Sequence, residues 1–173
     1  MDNETNRVLE KLRFDGGMGA LDYNGIRYLL IRPETLVEIQ KVCEEKFGPD
    51  AAREIFYRSG FRGTSLTADR LLKGGMSSEE CLRAMFAMGS HLGWGKFELP
   101  DLRESGKETR VTIHASPFAR AYGKSKRPVC ALLSGALAGI FTTLRSKEHA
   151  CREIKCLATG EAACRFLLEE ISL

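Results

Sequence analysis

The chain lacks the features that mark several large classes of protein. Its formal net charge is only +3 and it has no dense block of lysine or arginine, so nothing indicates a nucleic-acid-binding surface. The first residues, Met1-Asp2-Asn3-Glu4, are polar and acidic, which is not the pattern of a secretory signal. The longest uncharged run, residues 128–144, contains one proline, two glycines and three hydroxyl side chains. This composition favours a buried core helix over a membrane span.

Motifs that would indicate a nucleotide cofactor or a second domain are also missing. The segment Gly16-Gly17-Met18-Gly19 is short, lacks the third glycine of a dinucleotide fingerprint and precedes no predicted helix. The sequence has no internal repeat, no low-complexity stretch and no clear linker. Its 173 residues, 43% of them hydrophobic, are enough to form one core, and we expect a single domain over residues 1–173.

The chain does contain six cysteines, and no export signal accompanies them. This combination favours a reducing compartment, so we expect a cytoplasmic protein. Its thiols should then be free, catalytic or metal-bound rather than paired in disulfides.

Local patterns predict a mixture of helices and strands. Asn24-Gly25 between two short apolar runs predicts a hairpin. A helix should run from Pro33 to Gly48, and a second helix over about residues 50–72 should kink or break near Gly60 or Gly63. The apolar stripe of the first of these helices consists of Leu36, Ile39, Val42, Cys43 and Phe47.

The later elements are predicted from caps and from short apolar runs. A capping box at Ser77-Ser78-Glu79-Glu80 opens a helix to about residue 91. Pro128 opens a long apolar helix to about Arg145, with small residues at Ser134, Gly135, Ala136, Ala138 and Gly139. The predicted strands cover residues 96–100, 109–114, 149–158 and 163–169.

Four residues of the C-terminal part form a candidate metal site. Cys130, Glu153, Cys156 and Cys164 offer three thiols and a carboxylate, which suit a divalent cation and zinc above all. Cys156 and Cys164 lie at equal distances from a turn centred on Gly160-Glu161, so they should be cross-strand neighbours with Cβ atoms ~5 Å apart. Cys130 lies at a helix start, where the partial positive charge of the helix lowers the pKa of a thiol.

Glu153 is the hardest of the four to place. It lies three residues before Cys156, so a regular strand would put the two side chains on opposite faces. We therefore predict a bulge or irregular backbone between them. Other candidates for the fourth position are Cys151, His149, His114 or water. The competing interpretation is that the cysteines are buried free thiols, which behave as small hydrophobic residues.

These motifs together resemble the vinyl-4-reductase (4-vinyl reductase) domain family. The similarity covers residues 93–169, after an N-terminal hairpin and helices over residues 1–92. It rests on Gly93-Trp94-Gly95, Ser116-Pro117-Phe118-Ala119, Pro128-Val129-Cys130 with Gly135 and Gly139, Glu153-Ile154-Lys155-Cys156, and Cys164-Arg165-Phe166.

The resemblance implies an α/β (α+β) fold, in which a twisted antiparallel sheet packs with helices as in haem-nitric-oxide sensors and TRAPP-like trafficking subunits. It implies that Cys130, Glu153, Cys156 and Cys164 hold a structural zinc ion, as in the ligand-sensing domains of bacterial activators that respond to phenols and other aromatics. Those domains are dimers, so a homodimer is implied here. This chain is too short for the ATPase module of such activators and shows no helix-turn-helix, so we expect it to signal through another protein.

A small apolar or aromatic molecule is the ligand that the resemblance implies. Residues suited to line its pocket are Phe86, Trp94, His114, Phe118, Tyr122 and Phe141, of which His114 would hydrogen-bond a hydroxyl or carboxylate. All six equally suit an ordinary core, and no catalytic residue is predicted. Two other functions stay open: a reductase or accessory protein acting on a tetrapyrrole vinyl group, which would need a separate redox partner, and a structural adaptor of TRAPP-like type.

Overall fold

The computed structural model describes residues 5–100 and 108–171. A short helix, α1 (Arg7–Lys11), comes first and is capped by the side chain of Asn6. A three-stranded antiparallel sheet follows, in the order β1 (Arg13–Asp15), β2 (Ala20–Tyr23) and β3 (Ile26–Tyr28). Helix α1 and strand β1 were not predicted, because both are too short to show a periodic pattern.

The hairpin prediction at Asn24-Gly25 is confirmed. Both residues have positive φ, 53° and 73°, which is the conformation that a two-residue turn between antiparallel strands requires. The glycine-rich segment 16–19 lies in the turn between β1 and β2, where Asp15 Oδ1 accepts hydrogen bonds from the backbone N–H groups of Gly17 and Met18. Strand β2, rather than a helix, follows this turn directly.

Two long helices come next, α2 (Pro33–Phe47) and α3 (Pro49–Lys73), and they meet at Gly48. The predicted bounds of α2 are confirmed, but only Leu36 and Cys43 of its apolar stripe are partly buried. Ile39, Val42 and Phe47 are 49%, 45% and 66% exposed, whereas Val37 and Gln40 are buried. The reason is that the Gln40 side chain donates a hydrogen bond to the Val129 carbonyl, so this face of α2 turns towards the rest of the molecule.

The predicted break in α3 is absent, because the helix runs unbroken past Gly60 and Gly63. Gly60 is needed for close packing instead: a Cβ atom there would overlap the carbonyl oxygen of Leu132 on the neighbouring helix. The glycine therefore marks a helix crossing rather than a helix break.

The C-terminal part is built on a four-stranded antiparallel sheet, whose strands lie side by side in the order Lys96–Phe97, Glu108–His114, Cys164–Glu170 and His149–Lys155. The capping box at Ser77 is present with both of its hydrogen bonds. The elements, in chain order, are α4 (Ser78–His91), β4 (Lys96–Phe97), β5 (Glu108–His114), α5 (Pro117–Tyr122), α6 (Ala131–Arg145), β6 (His149–Lys155), a 3-10 turn (Leu157–Thr159) and β7 (Cys164–Glu170).

Helix α6 is the centre of the core. It is buried from Ala131 to Phe141 apart from Leu132, and it packs between α3 and the sheet. The core around it is completed by fully buried side chains of α4, β5 and β7, including Phe86, Ile113 and Phe166. Among the described residues, none of the helices combines the length and the apolar character that crossing a bilayer requires.

Candidate metal centre and adjoining cavity

Four chain segments converge at the start of α6. Cys130 is the N-cap of α6, Cys164 is the first residue of β7, and Cys156 directly precedes the 3-10 turn. Glu153 lies on β6. One ligand atom from each of the four lies within 4.8 Å of all the others. The four residues could therefore hold a metal ion.

The distance between two of the sulfurs matches the geometry of a tetrahedral zinc site. The Sγ atoms of Cys130 and Cys164 are 3.8 Å apart. Two sulfurs bound to one zinc ion at about 2.3 Å each, at a tetrahedral angle, would be separated by about 3.8 Å. The thiols thus need little rearrangement to share one cation.

The predicted irregularity next to Glu153 is present. The pairing of β6 with β7 shifts register between Glu153 and Lys155, because Glu153 faces Phe166 while Lys155 faces Arg165. This shift turns the Glu153 carboxyl group towards α6, where Oε2 accepts a hydrogen bond of 2.8 Å from the backbone N–H of Cys130.

The second carboxyl oxygen of Glu153, Oε1, is buried and has no hydrogen-bond partner within the described part of the chain. A buried oxygen in that condition costs stability on the order of 1–3 kcal/mol unless something binds it. A cation held by the three sulfurs would supply the missing partner. The residues present therefore fit a zinc ion both in donor chemistry and in this unsatisfied atom.

The acidic groups at the site lie so close together that the ionisation of one disfavours the ionisation of its neighbours. Burial, together with the nearby Cys156, raises the pKa of Glu153 to about 8. Hydrogen bonds from Cys130 and Cys164 lower the pKa of Cys156 to about 2. A divalent cation would remove this competition, because it stabilises the carboxylate and all three thiolates together.

The expectation that the helix start lowers the pKa of Cys130 is wrong for the cluster taken by itself. Hydrogen bonds to Cys156 and Cys164, together with burial, raise the pKa of Cys130 well above its ordinary value. For Cys164, the hydrogen bond from Cys130 lowers the pKa, but the bond to Cys156 and burial outweigh it and raise the pKa overall. The three thiols therefore do not ionise independently of one another.

Neighbouring groups donate to the sulfurs and orient them. The backbone N–H of Leu157 donates to Cys164 Sγ over 3.5 Å, and Ser116 Oγ lies 3.6 Å from Cys130 Sγ. A backbone hydrogen bond from Val129 also reaches Cys156. Such contacts in the surroundings of a metal site tune the ligands and fix their positions.

The alternative fourth ligands lie elsewhere. His149 Nδ1 is 2.7 Å from the Lys147 carbonyl oxygen, and the His149 ring packs beside Phe141. His114 is bonded to Glu98 over 2.6 Å. Cys151 is buried on β6 outside the four-residue cluster. None of the six cysteines is paired in a disulfide, as predicted.

Five of the six residues predicted to line a ligand pocket belong to the hydrophobic core or pack against it, and His114 does not. Phe86 and Phe141 are fully buried, and Trp94 stacks edge-on against Phe118 at 5.5 Å between ring centroids. The other two predicted residues make polar contacts, Tyr122 with Glu44 at 2.6 Å and His114 with Glu98.

A cavity of about 440 Å³ lies next to the candidate metal centre. Its walls come from the end of α2, the start of α3, the start of α6 and strand β6. The lining includes Gln40, Glu44, Tyr57, Ala131, Ser134, Cys151 and Glu153, with Arg53, Arg127 and Arg152 among the charged side chains. None of the six predicted pocket residues belongs to this lining, although Tyr122 bonds Glu44, which does.

Among the lining residues, Glu153 had been singled out by the sequence as a metal ligand, Cys151 as an alternative ligand and Ser134 as a small helix residue. Gln40 and Tyr57 were not, because they meet the cavity only through the packing of α2 and α3 on α6. The one available signal was Gln40 itself, a polar residue within the apolar pattern of α2 that proves 7% exposed.

Comparisons with known proteins agree with this architecture. The family model "Activator of aromatic catabolism" matches residues 8–99, and the vinyl-4-reductase domain model matches residues 109–170. The phenol regulator MopR of Acinetobacter guillouiae is 23% identical over 181 residues, which cover 95% of this chain and 31% of that protein. The chain thus spans about a third of the length of this curated relative.

Solved structures show the same fold. The phenol-responsive sensory domain of the transcription activator PoxR, with phenol, superposes with a TM-score of 0.79 at 21% identity, over 94% of this chain and 86% of that one. A vinyl-4-reductase family protein from Methanocaldococcus jannaschii gives a TM-score of 0.61 at 14% identity, over 84% of each chain.

A trafficking protein particle complex subunit and an H-NOX protein, each 12% identical, share the fold as well. The predicted fold class is therefore confirmed. The resemblance to the vinyl-4-reductase family is confirmed by the match to its domain model. The matched residues include α6, β6, β7 and the four clustered residues. The chain belongs to the activator of aromatic catabolism family and carries a vinyl-4-reductase domain at residues 109–170.

Proposed function

We propose that this chain is a zinc-stabilised sensing domain that binds a small apolar or aromatic molecule and thereby changes its association with a protein partner. The observation that carries the proposal is the four-residue cluster with a buried, unsatisfied Glu153 oxygen, in a chain of this family. Residues 1–173 would act together as one domain in the cytoplasm, without direct contact with nucleic acid.

Zinc would have a structural role. Four protein ligands close the coordination sphere of a tetrahedral ion and leave no position for substrate. The cluster ties the start of α6 to the ends of β6 and β7, so a bound ion would hold the core helix against the sheet. Binding energy from such an ion adds directly to folding stability.

An aromatic ligand is supported by the relatives. MopR is named a phenol regulator, and the PoxR domain was solved with phenol. The cavity volume of about 440 Å³ lies within the range of roughly 300–1,000 Å³ that is typical of small-molecule pockets. The six residues predicted from the sequence remain a second candidate lining.

The domain is proposed to act as a homodimer through the exposed face of α2. A groove there is lined by Thr35, Ile39, Val42 and Cys43, with Arg32, Glu34 and Glu38 around it. The preceding segment, residues 29–31, adds three exposed apolar side chains. Apolar residues surrounded by both signs of charge suit a two-fold interface, in which each patch meets its own copy.

A reductase acting on a tetrapyrrole vinyl group is less well supported. Reduction needs an electron donor, and the glycine-rich segment 16–19 forms a surface turn whose N–H groups are already bonded to Asp15. A TRAPP-like adaptor role rests on shared fold alone.

Native mass spectrometry of the purified chain tests the proposal. We expect one zinc ion per chain, and an aromatic molecule that is either retained from the cell or taken up from a panel of phenols. Zinc-free protein that binds no member of the panel would reject the sensing function, and turnover of a bound tetrapyrrole with added reductant would establish the reductase instead.

A further inference from the structure

We propose that Gln40 is a positioning residue of the metal centre, which orients Glu153 through the peptide group between Val129 and Cys130. The inference rests on the proposed zinc site and adds to it a side chain outside the four clustered residues. Gln40 lies on α2 and is only 7% exposed. Because a buried amide lowers stability unless its polar atoms are bonded, its place in the core depends on the hydrogen bonds that it makes.

A single peptide group links Gln40 to the metal cluster. Gln40 Nε2 donates a hydrogen bond of 3.1 Å to the Val129 carbonyl oxygen. The N–H of the same peptide group, that of Cys130, donates one of 2.8 Å to Glu153 Oε2. The C=O and N–H of a trans peptide are coplanar and point in opposite directions. A hydrogen bond that fixes the carbonyl therefore also fixes the direction of the N–H that holds the carboxylate.

The Gln40 amide has one orientation that suits its surroundings. Both partners of Nε2 are acceptors, the Val129 carbonyl oxygen and Glu44 Oε1, which also lies at 3.1 Å. An amide nitrogen offers two hydrogens, whereas the reversed amide would place its own oxygen against both acceptors. The amide is therefore held as a double donor.

Glu44 anchors the other end of this connection. It lies one helical turn after Gln40 on α2, and its side chain is 17% exposed. The Tyr122 hydroxyl of α5 donates a hydrogen bond of 2.6 Å to Glu44 Oε2, and Arg127 lies 3.7 Å from the same oxygen. With Glu44 held in this way, the Gln40 amide cannot turn away from Val129 without losing a hydrogen bond to a charged group.

The Glu153 carboxylate has one oxygen engaged and one left over. Oε2 accepts from the Cys130 N–H, while Oε1 is buried with no hydrogen-bond partner among the residues that the structure describes. One oxygen of this carboxylate lies within 4.8 Å of each of the three sulfurs. Because metal–ligand distances vary by only about 0.2 Å, the hydrogen bond that holds Oε2 decides whether the carboxylate completes the ligand set.

Competition with a chromophoric chelator measures the zinc dissociation constant of the full chain and tests this role. Gln40→Met replaces the amide by an apolar side chain of similar length and should raise that constant about 10-fold, since groups around metal ligands contribute on this scale. Val37→Ala is the matched control, because Val37 is 3% exposed on the same helix but has no polar side-chain atom. It should lower the melting temperature and leave the zinc affinity unchanged.

Cobalt-loaded protein gives a second readout, because the visible absorption of Co²⁺ depends on its ligands. The absorption bands should change in Gln40→Met and match those of the parent chain in Val37→Ala. If Gln40→Met does not fold, Tyr122→Phe takes its place. This change releases Glu44 at the other end of the connection and should raise the zinc dissociation constant about 2-fold.

A double-mutant cycle with Glu153→Ala locates the effect. Three thiolates and a water molecule can still bind zinc when the carboxylate is gone. In that background Gln40→Met should change the dissociation constant by no more than about 2-fold, because no carboxylate is left for Gln40 to orient.

Three results would overturn the inference, and they are distinguishable. If Gln40→Met matches the parent chain in zinc affinity and in cobalt absorption, Gln40 only satisfies a buried carbonyl, and the zinc site stands without it. If Gln40→Met weakens binding equally with and without the Glu153 carboxylate, its effect does not pass through that ligand. If the parent chain binds neither zinc nor cobalt, the proposed metal centre itself fails, and the positioning role fails with it.

Discussion

Gly135 of α6 lies directly against the backbone of Tyr57 on α3. A Cβ atom at position 135 would overlap the Tyr57 carbonyl oxygen, and one at Gly139 would overlap the carbonyl oxygen of Phe61. The small residues of α6 thus allow two helix backbones to touch over more than a turn. Because this contact holds the Tyr57 backbone against α6, it also fixes the position of the Tyr57 side chain in the cavity wall.

Gly135→Ala should destabilise the protein by about 1–3 kcal/mol or more, because the added methyl group has to push the two helix backbones apart. Gly63→Ala is the matched control: Gly63 also lies inside α3, but a Cβ atom there meets no neighbour within 4 Å. That change should be neutral or stabilising by up to about 1 kcal/mol. Urea unfolding measures both. Equal effects of the two substitutions would contradict the close crossing.

Removing one thiol of the cluster should release the metal. Cys156→Ser should lower the zinc content from one per chain towards zero, since it removes one of the three thiolates that would hold the ion. Loss of several kcal/mol would lower the melting temperature by at least about 10 °C, given the 2–4 °C per kcal/mol typical of this chain length. Elemental analysis and thermal melting provide the readouts.

Cys43→Ser serves as the control for that experiment. Cys43 is a half-buried free thiol on α2, outside the cluster. Its substitution should leave the metal content unchanged, because Cys43 contributes no ligand atom to the cluster. Full zinc occupancy in Cys156→Ser would show that the cluster is a group of ordinary buried thiols.

The Glu153 carboxyl group should make the stability of chelator-treated protein depend on pH. Its pKa is raised from 4.5 to about 8 in the folded chain, chiefly by burial. As the pH rises from about 4.5 to 8, the unfolded chain loses this proton while the folded chain retains it, so stability falls. Above about pH 8 both states are ionised and the loss is complete, at most about 5 kcal/mol at 1.36 kcal/mol per pKa unit.

Glu153→Gln isolates this contribution, because the amide has no proton to lose. The stability advantage of Glu153→Gln over the unaltered chain should grow between about pH 4.5 and 8 and then level off, in urea unfolding of metal-free samples. The remaining thiols titrate in both proteins. Stability curves that stay parallel over this range would show that the Glu153 carboxyl group is solvated rather than buried.

Local chemistry in the sequence was enough to predict much of the fold. The Asn24-Gly25 turn, the capping box at Ser77 and the irregular strand beside Glu153 were all predicted, because each depends on neighbours within a few residues. The convergence of Cys130 with the β6–β7 pair depends on long-range packing, and its prediction rested on family resemblance and on register.

Properties that depend on which elements touch were predicted poorly. Gly60 suggested a break in α3, because a glycine that ends a helix and one that lets another helix approach look alike in sequence. The apolar stripe of α2 predicted the helix correctly. The face of that helix that is buried, however, is the one that carries Gln40 and contacts the start of α6. The pattern alone does not say whether an apolar face meets the core or a second molecule.

That exposed face of α2 leads to a prediction about assembly. Ile39→Glu places a charge in the centre of the groove and should convert a homodimer to monomers, because an unpaired charge in an apolar interface is costly to desolvate. Analytical ultracentrifugation over a range of concentrations measures the change. Leu99→Lys, at a similarly exposed apolar residue after β4, should leave the dimer intact. The melting temperature of Ile39→Glu at low concentration should match that of the dissociated parent, because Ile39 is half-exposed within each subunit. A dimer that survives Ile39→Glu, or a parent chain that is monomeric at all concentrations, would show that this face of α2 is not a dimer interface.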